Sequence, residues 1–323
     1  MPEDGAIAPC DLCSWQGLPM FLKKEVIDYL NYKSRCCVEK LCRRSRTAAV
    51  KVPLKLDQAS LHINNDHIKL FAGSDIPVLY NSSALETAIQ DFLHLFQNRF
   101  SKFDICVLFG GYLTPEQYNM VSGLLLPGFR SLPSNHFLNV KKFEFVMANA
   151  SLEDYMEIFQ RLNPRTIEHL VFRLPLKNLH DWSVLTQHPQ WSSAKKLYIH
   201  FDNNLPILEF IRFDTFYTHF HKISSEDIAS VIQSFRTGIR PVGSFFRITM
   251  QKFLQHEDIL QLCNVTRNNE PVLGKWKPTH PVHTQRFQLP IANQMLVVTF
   301  HEWKIDGKIC HVDKIVEESE IVI

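Results

Sequence analysis

Cysteines and histidines are the residues in this chain whose spacing could do chemistry. Cys10-x-x-Cys13, with Cys36, Cys37 and Cys42 downstream, raises the question of zinc. A structural zinc site asks for four ligands at ordered spacing, and here one CxxC stands without a second pair of that spacing. These thiols are read instead as small apolar groups suited to burial. His219-x-His221 and His280-x-x-His283 are the closest histidine pairs. No H-E-x-x-H pattern or neighbouring carboxylate completes a site, so both pairs are assigned to loops or surface. No G-x-S-x-G elbow occurs, no cysteine-protease signature surrounds any Cys, and no Gly-rich phosphate loop follows a strand. The residue pattern argues against catalysis by this chain, and no cofactor or metal is expected.

What remains is a pattern for binding. Residues 15–46 read as three short helices with one apolar seam and a basic back. Pro19 suits the first turn of a helix, where its missing N–H would have no intrahelical partner. From there Leu22, Val26, Tyr29 and Leu30 fall on one 3.6-period stripe. Asn31-Tyr-Lys-Ser34 interrupts it, with Ser34 as a candidate N-cap. Val38, Leu41, Cys42, Ser45, Ala48 and Ala49 resume the stripe, and Lys40, Arg43 and Arg44 lie outside it. Pro53 ends the module, because a proline disfavours helix in the residue before it. So small a unit has little core of its own and gains stability by docking.

Beyond residue 53 the texture changes. Strand-like runs at 103–109, 140–146, 167–172, 196–201 and 244–250 alternate with helix-like runs at 83–96, 115–125, 151–162, 224–235 and 256–262. Ser151 and Ser224 each precede acidic residues, good signals for N-caps and for the helix dipole. The alternation implies parallel strands joined by helical crossovers. Its irregular spacing predicts a leucine-rich-repeat-like arc, with a closed doubly wound sheet as the alternative. Near the end, 294–303 and 308–316 flank Asp306-Gly307, which predicts an antiparallel hairpin turning at Asp-Gly. Trp191 and the series Phe210, Phe213, Phe216, Tyr217 and Phe220 are read as core.

Composition sets the frame. At 323 residues with 45 % apolar content and 24 Phe, the chain can bury a sizeable core and suits a small module plus one larger domain. No apolar run reaches the roughly 18 residues a bilayer span needs, and the acidic start leads into no apolar signal segment. Reduced cysteines in cytosol or nucleus follow as the expectation, with no role for the sequons at Asn81, Asn149 and Asn264. Net charge is +2, yet residues 23–55 hold ten Lys/Arg against Glu25, Asp28 and Glu39, which leaves −5 for the rest. A basic block on an acidic protein points to an acidic partner, a nucleic acid or a protein surface.

Residues 15–50 resemble an F-box: Leu18-Pro19 opens the first helix, Val26-Ile27 and Leu30 follow, then Lys40-Leu41-Cys42-Arg43-x-x-Arg46. Residues 138–236 resemble the FTH region of the large nematode family of F-box proteins. Gln190-Trp191-x-x-Ala194-Lys195, Phe210-Ile-Arg-Phe213 and Ile223-Ser224-Ser-Glu226-Asp227-Ile228 carry that likeness. Two departures stand out: Cys36-Cys37 replaces bulky aliphatics, and Met20-Phe21 follows Leu18-Pro19 in place of an acidic start.

The resemblance implies an α/β chain: a three-helix F-box module, then an irregular leucine-rich-repeat-like α/β domain ending in a β-hairpin. Its expected divisions are a tail at 1–12, the module at 13–53, a connecting segment at 54–99 and the FTH-like domain at 100–323. It implies a non-catalytic, substrate-recognition subunit of a Skp-cullin-F-box ubiquitin ligase. A Skp-type adaptor, and through it a cullin scaffold, would dock on Leu18, Pro19, Val26, Ile27, Leu30, Val38 and Leu41. Some of that stripe must pack the helices together instead. Lys40, Arg43 and Arg46 would form the rim, and the body would hold an unidentified target protein. The alternative is a nucleic-acid-binding protein using 23–55. Against it, the apolar seam is broad and no helix presents Asn, Gln or Arg as a recognition surface.

Overall fold

The computed structural model describes residues 15, 17–73, 76–177, 182–251, 256–265 and 282–314. Two compact units emerge, one of residues 1–141 with 153–166, the other of 142–152 with 167–323. The first unit therefore includes the helical module together with part of the α/β body, and the expected boundary at residue 99 falls inside it.

Three helices open the first unit: α1 (Met20–Asp28), α2 (Tyr32–Leu41) and α3 (Arg43–Lys51). Pro19 sits just before α1 as its N-cap. The cap of α2 is Asn31, whose side chain accepts from the Ser34 N–H, so Ser34 lies inside the helix it was expected to cap. Asn is as good a cap as Ser, and it stands where the backbone is still extended. Cys42 then breaks the long stripe: it caps α3, its Sγ accepting from the Ser45 N–H.

The expected connecting segment is itself structured. It forms β1 (Lys55–Ile63), β2 (His67–Ala72), β3 (Val78–Asn81) and α4 (Leu85–His94). With β4 (Lys102–Gly110) the strands run in the order β3-β2-β1-β4, antiparallel except for the parallel β1–β4 pair. Helices α5 (Pro115–Arg130) and α6 (Leu152–Phe159) follow, joined by Tyr118 Oη donating to Asp154 at 2.8 Å. Thr114 and Gln117 close a capping box on α5.

In the second unit, β5 (Asn139–Met147), β6 (His169–Phe172), β7 (Lys196–Asp202), β8 (Thr215–Phe220) and β9 (Phe245–Met250) lie side by side, each parallel to the next. Antiparallel strands complete the sheet: β12 (Lys304–His311) on β9, then β11 (Gln294–Phe300), then β10 (His283–Gln288). The crossovers carry α7 (Ser183–Thr186), α8 (Pro189–Ser193), α9 (Ile207–Ile211) and α10 (Ser225–Thr237), the last capped by Ser224 and Asp227 in a capping box. α11 (His256–Leu262) follows β9.

One face of this sheet is aromatic core. Phe216 of β8 meets Phe210 of α9 at 5.4 Å, Phe235 of α10 at 6.1 Å and Phe246 of β9 at 5.9 Å between ring centroids. Trp191 is fully buried against Phe213 at 5.5 Å, so its role is packing. Because side chains alternate along a strand, Leu197, Phe216 and Phe246 go under the helices while their neighbours face away.

The C-terminal hairpin is present, but Asp306-Gly307 is not its turn. β11 and β12 connect through 301–303, and Asp306 and Gly307 lie inside β12 opposite Thr299 and Val298. Both have other duties. The buried Asp306 carboxylate takes two bonds from Arg247 of β9, at 2.6 and 3.0 Å, with His301 and Lys304 beside it. Burial pushes this carboxyl up, but those hydrogen bonds and positive charges outweigh burial and hold it at about 2. Gly307 is required by close approach, since a Cβ there would lie 2.1 Å from the Phe246 ring.

Candidate protein-docking site

The core of the module is small: Ile27, Ala48, Ala49 and Val52, with Trp15 and Val38 packed against them. Polar side chains hold the helices around it. Trp15 Nε1 donates to Ser45 Oγ at 2.7 Å, and the buried Lys23 ammonium lies 6.0 Å from the Trp15 ring. Arg35 is buried and acts as a rivet. It donates to the carbonyls of Asp28 (3.2 Å) and Leu30 (3.0 Å) at the end of α1, and of Val52 (3.4 Å) and Pro53 (3.3 Å) after α3. These include carbonyls that a helix end leaves without an intrahelical partner. Burial lowers the Arg35 pKa, and the neighbouring Asp28 and Glu39 charges oppose that shift.

This economy leaves large apolar groups outside. Tyr29 is 92 % exposed, Phe21 63 % and Leu41 63 %, with Val26 and Met20 also exposed. Of the residues expected to meet an adaptor, Pro19, Val26 and Leu41 are exposed, and Leu18, Leu30 and Val38 are half-buried. Ile27 is fully buried in the module core and belongs to the part of the stripe that packs the helices. Lys40, Arg43 and Arg46 are all exposed. The structure thus brings an apolar surface and cations onto one small unit. Phe21 and Tyr29 were not in the expected set. Seven of the eleven residues from 20 to 30 are apolar or aromatic, so periodicity alone could not say which side the core would take.

The same unit ties the module to its neighbours. His94 of α4 contacts Glu39 of α2 at 3.0 Å, and Asn98 Nδ2 donates to the Val50 carbonyl at 2.9 Å. The Glu39 hydrogen bond raises the His94 pKa, against the lowering effect of burial. Leu54 N–H donates to Ser101 Oγ at 2.9 Å as the chain enters β1.

The other chemistry-bearing residues are dispersed. His219 bonds Thr249 through Nδ1 at 2.8 Å and meets Asp202 at 3.3 Å, while His221 is exposed. His283 is buried; Cys10, Cys13 and His280 lie outside the described residues. Among the described residues no group of three or more His, Cys, Asp or Glu could hold a metal ion. None of the helices described is long and apolar enough to cross a membrane.

A three-helix unit with a thin core and a greasy exterior has the physical character of a docking module, and comparison with known families bears on it directly. Residues 15–57 match the F-box domain, and residues 129–238 match the FTH domain. The chain carries both, in that order. The F-box match takes in α1–α3 and the start of β1, and the FTH match runs from the end of α5 through α10. No curated protein matches the chain. An F-box implies a substrate-recognition subunit of a Skp-cullin-F-box ubiquitin ligase, bound to a Skp-type adaptor and through it to cullin. F-box proteins are generally non-catalytic adaptor subunits.

Proposed function

We propose that this chain is a non-catalytic specificity subunit of a ubiquitin ligase, working in cytosol or nucleus. Its F-box docks the adaptor through Leu18, Pro19, Val26, Leu30 and Leu41, extended by Phe21 and Tyr29. Val38 and Ile27 support that surface from behind. Lys40, Arg43 and Arg46 form a rim that sets approach and register more than affinity. The body holds the target and raises its effective concentration at the conjugating enzyme. The parallel strands β5–β9, most of them linked through short helices, support reading that body as an irregular leucine-rich-repeat-like array.

The observation that carries the proposal is the exposed apolar set on α1 and α2. Exposed aromatic and aliphatic anchors are what an interface of about 800 Å² per partner buries at its centre. Nucleic-acid binding by 23–55 fits less well. Two of its cations, Lys23 and Arg35, are buried within the module.

The test is a pull-down of the purified chain with a Skp-type adaptor, beside a Val26→Asp/Leu30→Asp variant. The wild type should bind and the variant should not, while hydrogen exchange across β7–β9 stays unchanged. A folded wild type that ignores the adaptor, or a variant that still binds it, would overturn the proposal.

A further inference from the structure

The face of the second unit's sheet that turns away from its helices has a charge pattern of its own. Pairing registers place one residue from each strand in a row: Lys142, His169, Lys196, Thr215, Phe245, Lys308, Val297 and Arg286. Residues in register on adjacent strands share a face. Four of the eight are cations and none is a carboxylate. The chain outside 23–55 sums to −5, so this row is not the average of its surroundings. Lys142, Lys196, Phe245 and Lys308 are half-buried, and Arg286 is exposed. His169 sits in this row: burial, then the charge of Lys196, with smaller help from Lys142 and against the opposing charge of Glu168, hold its pKa at about 4.

We propose that this row is the target-docking surface of the protein, and that its occupant is an extended Asp/Glu-rich segment of another protein laid across the strands. The inference rests on the reading that the body holds a target, and it names the chemistry of that target. Lys142 and Lys196 are two strands apart, Lys196 and Lys308 three, and Lys308 and Arg286 two. At about 4.8 Å per strand these gaps are roughly 10, 14 and 10 Å. An extended chain advancing about 3.4 Å per residue crosses these gaps in about three to four residues, and because its side chains alternate, acids at every second position keep carboxylates on the facing side within reach of each cation.

The neighbouring row favours a peptide over a single-stranded nucleic acid. It contains Glu144 and Asp306, so positive charge on this face is spaced rather than continuous, which suits separate side-chain carboxylates better than a phosphate at every nucleotide. Both are matched within the face: Glu144 by Arg173 and by Lys142 at 3.1 Å, Asp306 by Arg247. The aromatic rings also have neighbours where bases would stack. His200 lies 4.8 Å from the Tyr217 ring, and the Arg247 guanidinium lies 5.5 Å from Phe245. Base stacking needs such rings open.

The experiment is fluorescence anisotropy on the full chain with three labelled probes. One is a peptide with Glu at every second position and Ser between, one has Gln in place of Glu, and one is oligothymidine. The Glu peptide should bind, weaken with salt, and exceed the Gln peptide by about tenfold or more. Lys196→Gln/Lys308→Gln should weaken the Glu peptide by about tenfold. Lys177→Gln/Lys222→Gln, at exposed loop positions, should leave it unchanged. Equal binding of the two peptides, or an unaffected Lys196→Gln/Lys308→Gln variant, would overturn the assignment. So would oligothymidine binding more tightly than the Glu peptide and being lost in that variant. Adaptor pull-down on the same preparations separates the two proposals. A chain that binds adaptor but no peptide sinks the row alone, and one that binds the peptide but no adaptor sinks the ligase reading.

Discussion

Among the described residues, the largest fully buried side chains, with Trp191, Phe210, Phe213, Phe216 and Phe235 among them, all belong to the α/β body. The three-helix module has a core of Ile27, Ala48, Ala49 and Val52, closed by the polar grip of Arg35, Lys23 and Ser45. Among the described residues the body buries most of its large aromatics, leaving Phe100, Tyr112, Phe137 and Trp303 exposed, whereas the module buries none of comparable size fully and leaves Phe21 and Tyr29 outside. A region that must dock a partner keeps apolar area in reserve, since area already spent on its own core cannot serve an interface. A region that must stay rigid while presenting a surface spends its aromatics inside. The difference should appear as two distinct sensitivities to mutation.

The largest effect is expected in the aromatic core. Phe216→Ala removes a ring flanked by Phe210, Phe235 and Phe246, and should cost about 3–5 kcal/mol. Hydrogen exchange should accelerate across β7, β8 and β9. If the loss stayed below about 1 kcal/mol, the sheet would not be the rigid partner in the comparison.

The module should respond to the loss of a polar rivet. Arg35→Met keeps the aliphatic stem but leaves the carbonyls of Asp28, Leu30, Val52 and Pro53 without the guanidinium. Leaving buried acceptors unsatisfied costs about 1–3 kcal/mol. Exchange should rise in α1–α3 with little change in β7–β9. An unchanged module would mean that its apolar core, thin as it is, suffices.

Much of this architecture is legible in the residues, and the failures have physical causes. β4, β5, β7, β9 and α10 stand out because hydrophobic runs end at clear caps and turns, as at Ser224. β8 was hidden because Phe210, Phe213, Phe216 and Phe220 imitate helical spacing while crossing an element boundary. Phe210 sits in α9, and only Phe216 and Phe220 share a strand face. β1 was hidden because its first residues, Lys55 to Gln58, are polar apart from the half-buried Leu56, and its hydrophobic half is short. Asp306-Gly307 has the composition of a turn, but its role is set by Arg247 and Phe246, which come from a strand far away in sequence. In the docking surface, the stripe named the module but not its outward side. That choice depends on where Arg35 and Trp15 close the core, which is tertiary information.

The smallest effect expected, and the finest probe of the contrast, is a pH dependence confined to the module. His94 of α4 meets Glu39 of α2, with Asp91 of its own helix adding negative charge, and its pKa is raised. A group whose pKa rises on folding contributes its full stabilisation below the unfolded value, about 6.5 for imidazole, and loses it as pH climbs through the raised value. Protection of α2, corrected for intrinsic exchange rates, should therefore fall as pH rises above about 6.5. A part-buried ion pair of this kind is worth up to about 1 kcal/mol, so the change should be modest. His94→Gln should flatten the profile in α2 and leave β7–β9 unmoved. If the profile persists in that variant, the Glu39–His94 contact is not what responds to pH. The attachment of the module to α4 would then rest on neutral contacts such as Asn98 to the Val50 carbonyl.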